Sequence, residues 1–462
     1  MQNIKTLINT SRGGGKPKLL TPVIVLFLLI FTTIIFTGCG TVVTRTMTAR
    51  AGSENFETEQ RLPLIENTFI FKINSGNDRE FILPASWRDE TTYVGAAYSW
   101  KVDWGDGKEE IYSGISRYGN EDNKHTYDNA NTEYIIKIRP NGPAEKDWLQ
   151  AFGFGGAGEV VPLSRYQLKQ LLSAFPENSK SNFRETFSSC WELTGTIKGL
   201  FDGIRHEPVP DMFNHTFGDC SGLTGSIPAD LFSGIIGAPA EYMFACTFAD
   251  SGFTGNIPAG LFKGITGKPA EGMFVHTFYG CSSLTGSIPA DLFSGIINAP
   301  AAGMFLRTFS DCSGLTGSIP ASLFGGINGE PADNMFGATF LGCSGLTESI
   351  PAGLFSGING APAYYMFANT FYGCSGLTSI PDGLFGNING PAVSGMFNGT
   401  FEGCSNLTGP SAKIMTEDGY KYLYDDDVWG AAPVDVWGYV VTDCYKGATG
   451  LDDYDDIPAA WK

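Results

Sequence analysis

Three residues could ligate a metal by type and spacing. His215, Cys246 and His276 occupy one column of an internal repeat, 31 and 30 residues apart. Imidazole and thiolate suit zinc or copper, and every ligand must come within about 2.0–2.3 Å of the ion. If each unit presents this column on a helix, neighbouring helices stand about 8–10 Å apart and three side chains cannot converge. The column therefore reads as solvent-facing, and neither a metal nor any other cofactor is expected. No catalytic set emerges either: the 4 histidines are scattered and the glycines follow the repeat rather than a phosphate-cradling motif. A hydrolase with its site in the N-terminal β domain or the C-terminal cap is the weakest of three functional readings.

The elements that carry this column come from the repeat itself. A Thr-Phe pair begins at Thr186, Thr216, Thr247, Thr277, Thr308, Thr339, Thr370 and Thr400, in steps of 30 or 31 residues. A second Phe precedes it by three residues, and Cys190, Cys220, Cys281, Cys312, Cys343, Cys374 and Cys404 follow it. A period in this range signals a solenoid, because one unit cannot bury its own apolar face. In the fourth unit Phe274, Phe278 and Cys281 fall at i, i+4 and i+7, which predicts a short helix. Leu284, Gly286 and Ile288 alternate with Thr285 and Ser287, which predicts a strand. Strands stack at about 4.8 Å and helices at about 8–10 Å, so such a stack should curve with the strands on its concave side. The fold class expected is an α/β, leucine-rich-repeat-like solenoid with a short strand and short helices per unit, preceded by a small all-β sandwich.

Ten cysteines in an exported chain suggest disulfides by default. Seven of them share the repeat column and should all point into the core, as buried thiols acting as small apolar residues. Export is read from the first 38 residues. Lys5, Arg12, Lys16 and Lys18 precede an apolar stretch, Leu19 to Phe36, and then Phe36-Thr37-Gly38-Cys39. These last residues resemble a bacterial lipobox, although Phe36 stands where Leu is typical. The resemblance implies lipidation at Cys39, a membrane anchor through that lipid, and a place in the bacterial cell envelope on the outer surface. Residues 39–66 read as a polar tether.

Residues 67–140 alternate as strands do, at Phe69, Phe71, Ile73, then Tyr98, Trp100, Val102, Trp104, then Tyr134, Ile136, Ile138. Asp103-Trp104-Gly105-Asp106-Gly107 and His125-Thr126-Tyr127 resemble the PKD-like, immunoglobulin-type module. Residues 141–182 are expected to cap the array, with Leu168, Leu171, Leu172 and Phe175 at helical spacing between 163 and 175. The array runs over 183–409 as seven full units and a partial eighth, and 410–462 forms a C-terminal cap. There Tyr445, Gly447, Leu451, Ile457 and Pro458 repeat the unit's order, with Ala448 in the cysteine position and Tyr420, Tyr422, Tyr424, Trp429 and Trp437 before it.

Phe278-Tyr279-Gly280-Cys281-Ser282-Ser283-Leu284-Thr285 with Ile288-Pro289, and Phe371-Tyr372-Gly373-Cys374-Ser375-Gly376-Leu377-Thr378 with Ile380-Pro381, resemble the repeat of BspA-like leucine-rich-repeat surface proteins. The unit is longer than that family's common repeats. The resemblance implies a cell-surface, adhesin-like binding protein that recognises an extracellular protein or glycan on a host, a matrix or a neighbouring cell. The alternative is an envelope spacer that associates only with itself. Candidate contact residues are the outward threonines Thr224, Thr254, Thr285, Thr316, Thr347 and Thr378, together with Tyr242, Tyr364 and Tyr365. The net charge of −18 argues against nucleic acid as a partner. The acidic residues near the C-terminus, Asp425, Asp426, Asp427, Asp452, Asp453, Asp455 and Asp456, read as a solvated face.

Overall fold

The structure is a computed structural model that describes residues 60–85, 95–117, 123–154, 163–425, 428–429 and 441–462. The leader, Cys39, most of the tether, Asp426, Asp427 and Trp437 lie outside the described residues.

Alternation of apolar residues yields an antiparallel sheet at the N-terminal end. Strands β1 (Phe69–Asn74), β2 (Glu80–Ile82), β3 (Ala97–Asp103), β4 (Glu109–Ile115), β5 (Lys124–Thr126) and β6 (Glu133–Pro140) are joined by β7 (Leu168–Leu171). Five of them pair in the order β4-β3-β6-β1-β7, and β2 pairs with β5. Phe69, Phe71, Ile73, Trp100, Val102, Trp104, Ile136 and Ile138 are fully buried on the core side. His125 is buried against Trp104, with ring centroids 4.5 Å apart. It bonds Asp106 through Nε2 at 2.9 Å and Glu110 through Nδ1 at 3.3 Å. Burial works against ionised Glu110, but hydrogen bonds from Tyr112, Trp104 and His125 hold its carboxyl below the ordinary value.

The helix expected over 163–175 is absent. Leu163–Tyr166 is a single 3₁₀ turn, and Leu168–Leu171 is the edge strand β7, paired with β1. Leu168 and Leu171 are both buried, and a three-residue step served a strand carrying an irregularity as well as it would have served a helix. From β7, Gln170 bridges in parallel to Thr194, so the sheet runs on into the first layer of the array. Buried Lys180 closes the junction by donating to the carbonyls of Gln150 and Phe152 at 2.8 and 2.9 Å.

The α/β, leucine-rich-repeat-like architecture is overturned, because the described residues contain no α-helix. The segment read as a helix is a chain of four-residue turns. In the fourth layer, Val275, Thr277, Tyr279 and Cys281 each donate their N–H three residues back, at 3.0–3.2 Å. The alternate residues Phe274, His276, Phe278 and Gly280 donate instead to Met304, Leu306, Thr308 and Ser310 of the next layer, at 2.9–3.1 Å. Every fourth residue has left-handed backbone: Gly272, His276 and Gly280 have φ of 56°, 54° and 68°. Isolated parallel bridges hold the other two sides, such as Gly286 to Leu315 and Gly267 to Ile296. With interlayer hydrogen bonds on all sides, the unequal spacing that predicted a curved stack is missing.

Three columns of Phe fill the interior. Phe274 stacks on Phe305 at 5.7 Å, Phe278 on Phe309 at 5.6 Å, and Phe293 on Phe324 at 6.1 Å. Phe293 also packs against Phe305 at 4.8 Å, which ties the columns together. Backbones approach so closely at one corner that only glycine fits: a Cβ on Gly295 would lie 2.4 Å from the Ile265 carbonyl oxygen. At the far end Tyr445 stacks on Phe401 at 5.5 Å and Gly409 bridges to Leu451. The hairpin of β8 (Lys413–Thr416) and β9 (Gly419–Tyr422) packs beside this last layer.

Candidate functional site

The buried polar columns explain themselves by carbonyl accounting. Thr308 Oγ1 donates to the Phe274 carbonyl of the preceding layer at 2.9 Å, and Cys312 Sγ donates to the Phe278 carbonyl at 2.9 Å. The same pairing recurs at Thr277, Thr339, Thr370 and Thr400, and at Cys220, Cys281, Cys343, Cys374 and Cys404. Each of these inward carbonyls also accepts a backbone N–H three residues on in its own layer, so the side chain supplies its second bond. The thiols are therefore donors and not merely small apolar fillers. Where the third layer has Ser251, its hydroxyl takes the carbonyl of Phe248 at 2.6 Å. All nine described cysteines are unpaired. Burial pushes the Cys220, Cys281 and Cys404 thiols up to about 12, which suppresses the reactive thiolate.

Thr224, Thr254, Thr285, Thr316, Thr347 and Thr378 are all exposed, one per layer. Their backbone N–H groups tie successive layers: Thr285 donates to Gly255, Thr316 to Gly286 and Thr347 to Gly317, at 2.8–2.9 Å. Thr254 also turns its hydroxyl to the Thr224 carbonyl at 2.7 Å. The result is a row of hydroxyls about 4.8 Å apart on a hydrogen-bonded side. A shallow groove of about 690 Å³ runs alongside, lined by Lys198, Ser226, Asp230 and Asn256.

The tyrosines sit on a different side, at the start of the turn chain. Tyr242 and Tyr365 share one column, whose intervening members are Gly272, Gly303 and Asn334. Tyr364 lies in the adjacent column. All three are exposed, and Tyr242 donates its hydroxyl to Glu271 at 2.8 Å. The structure thus aligns the threonines with one another but does not bring the tyrosines to them.

His215, Cys246 and His276 stand in one column of left-handed residues, with φ of 53°, 50° and 54°. The helix spacing invoked to separate them does not exist. Even so, no group of three or more His, Cys, Asp or Glu side chains among the described residues could hold a metal ion. Burial, then Arg307, lowers the His276 imidazole to about 4, and burial raises the Cys246 thiol to about 12. Cys444 is buried in the threonine column of the last layer, where Phe401 donates its N–H to the Cys444 carbonyl at 2.7 Å.

The feature missed in the sequence is the four-residue step. Asp211, His215 and Asp219, or Gly395, Gly399 and Gly403, recur at that step, and Asp, Asn, His and Gly are the residues that tolerate left-handed backbone. No helix among the described residues is long and apolar enough to cross a membrane. The site and fold define a stack of turn-built layers with one hydroxyl-bearing side. No protein-family profile, curated protein or solved structure matches the chain.

Proposed function

We propose that this chain is an exported, non-catalytic binding protein that uses the threonine side of its layered array to hold an extracellular protein or glycan. The observation that supports it is the repetition of an exposed Thr in register through six layers, Thr224 to Thr378. A rigid row loses little conformational freedom on binding, so weak contacts repeated at fixed spacing add up. The acidic net charge of −18 turns nucleic acid away. In the same reading, Cys39 carries the lipid that ties the chain to the bacterial outer surface. The test is binding of the whole secreted chain to immobilised matrix proteins and glycans, beside a Thr285→Glu/Thr316→Glu/Thr347→Glu variant. Loss of a saturable partner in the variant supports the reading. Equal binding by both proteins removes the threonine row from it, and self-association without any partner supports the spacer alternative instead.

A further inference from the structure

The segment before β1, the loop after β6 and an early corner of the array enclose a cleft of about 990 Å³. This lies within the range of about 300–1,000 Å³ usual for small-molecule sites. Both walls are fixed. Arg61 pairs with Asp202 and with Asp230, the latter at 2.6 Å, and so pins the leading segment to the array. On the opposite wall Asp147 donates its N–H to the Asn178 carbonyl at 2.9 Å, and Asn178 donates to Gly203 at 3.1 Å.

Trp148, Leu64, Ile65 and Val209 give the cleft apolar surface, and Asn67, Asn178, Arg205 and His206 give it polar groups. Two of the lining rings carry a nitrogen that is shielded from solvent and has no hydrogen-bond partner among the described residues, Trp148 Nε1 and His206 Nε2. Buried polar atoms are nearly always paired, so two on the lining of one cleft point to a partner from outside the chain.

We propose that this cleft binds one or two units of a neutral oligosaccharide, at a site separate from the threonine row. A sugar ring offers a C–H face to the indole and hydroxyls at its rim. The unpaired lining atoms are a donor, the Trp148 N–H, and the imidazole nitrogen His206 Nε2, which a neutral ring can use to donate or accept. A hydroxyl serves both, whereas an ammonium or guanidinium only donates. An anion is disfavoured by Glu66, Glu145, Glu177 and Glu207, which outnumber Lys146 and Arg205 in the lining. Burial, then Lys146, lowers the His206 imidazole, so the neutral ring can donate or accept.

Calorimetric titration of the whole chain with maltotetraose, cellotetraose, chitotetraose and mannotetraose tests this, with a Lys/Arg-rich peptide as the competing class. One tetrasaccharide should saturate a single site. Arg205→Ala and Glu207→Gln, both at exposed positions, should weaken it at least tenfold, and Trp148→Phe, which keeps a ring without the N–H, several-fold. Thr285→Glu should leave it unchanged. The proposal is overturned if no tetrasaccharide binds, if Arg205→Ala and Trp148→Phe bind as the parent does, or if only the basic peptide binds.

Discussion

Replacing Gly303 and Gly373 by alanine separates turn-built layers from helical ones by the sign of the effect. In a helix interior, Gly→Ala stabilises by about 0.8–1.0 kcal/mol per site. In the turn chain both residues are left-handed, with φ of 59° and 69°. An L-residue there costs about 1–2 kcal/mol, partly offset by about 0.4–1 kcal/mol from the stiffer unfolded chain. No clash confuses the result. A Cβ on Gly303 would have Val275 Cγ2 at 3.9 Å as its nearest neighbour, and one on Gly373 the Gly342 Cα at 3.7 Å. The net expectation is a loss of about 0.5–1 kcal/mol per site. The positions lie in different layers without a shared partner, so the double variant should lose about 1–2 kcal/mol. Urea unfolding followed by circular dichroism reads this as a lowered midpoint. A raised midpoint for either variant would refute the turn geometry. As an internal comparison, Gly295→Ala should be far worse than either, because its Cβ would meet the Ile265 carbonyl at 2.4 Å.

Phe305→Ala should cost about 3–5 kcal/mol by opening a hole in a stacked column. Thr308→Val should cost only about 1 kcal/mol, because the Phe274 carbonyl keeps its bond from the Thr277 N–H; equal losses in urea midpoints would contradict this ranking. The seven buried thiols of the repeat column should resist a thiol reagent at mildly alkaline pH and react after denaturation, since burial holds Cys220, Cys281 and Cys404 up at about 12; rapid labelling of these seven in the folded chain would show the column to be open. Folded His276 is held down at about 4 by burial and by Arg307, while in the unfolded chain it protonates near pH 6.5. Stability from this group is therefore complete above about pH 6.5 and falls as pH drops toward 4. Partial exposure screens the effect to on the order of 1 kcal/mol. His276→Asn, which tolerates the same backbone, should flatten that part of the stability curve, and an unchanged slope would assign it elsewhere.

The repeat's apolar columns were legible, and so were the alternating strands around Phe71, Trp100 and Ile136, because burial fixes a residue's type strongly in both cases. The local structure of the unit was not. Phe274 and Phe278 are four apart in a helix and in a chain of four-residue turns alike. Cys281 looked like the i+7 member of a helical face, but it continues a column of fours from Met273 and Thr277, all three fully buried. The deciding residues were His276 and Gly280, whose shared tolerance of left-handed backbone went unused because the His276 column was read only as solvent-facing. That misreading carried two consequences, an arc and a wide separation of His215 from Cys246, and both fell with the helices. The cleft beside Trp148 was not legible because its walls come from segments far apart in sequence, 64–67, 144–148, 177–178 and 205–209.

Layer spacing on the side once read as helical is the central claim, and a distance across several layers measures it. Glu241 and Tyr364 are exposed, share one column and lie four layers apart. Turn-built layers predict about 19 Å between their backbones, four steps of about 4.8 Å. Packed helices would need about 32–40 Å. Pulsed electron-spin resonance on Glu241→Cys/Tyr364→Cys, spin-labelled in a Cys246→Ser background, should give the shorter distance. A distribution centred on the longer one would contradict the account.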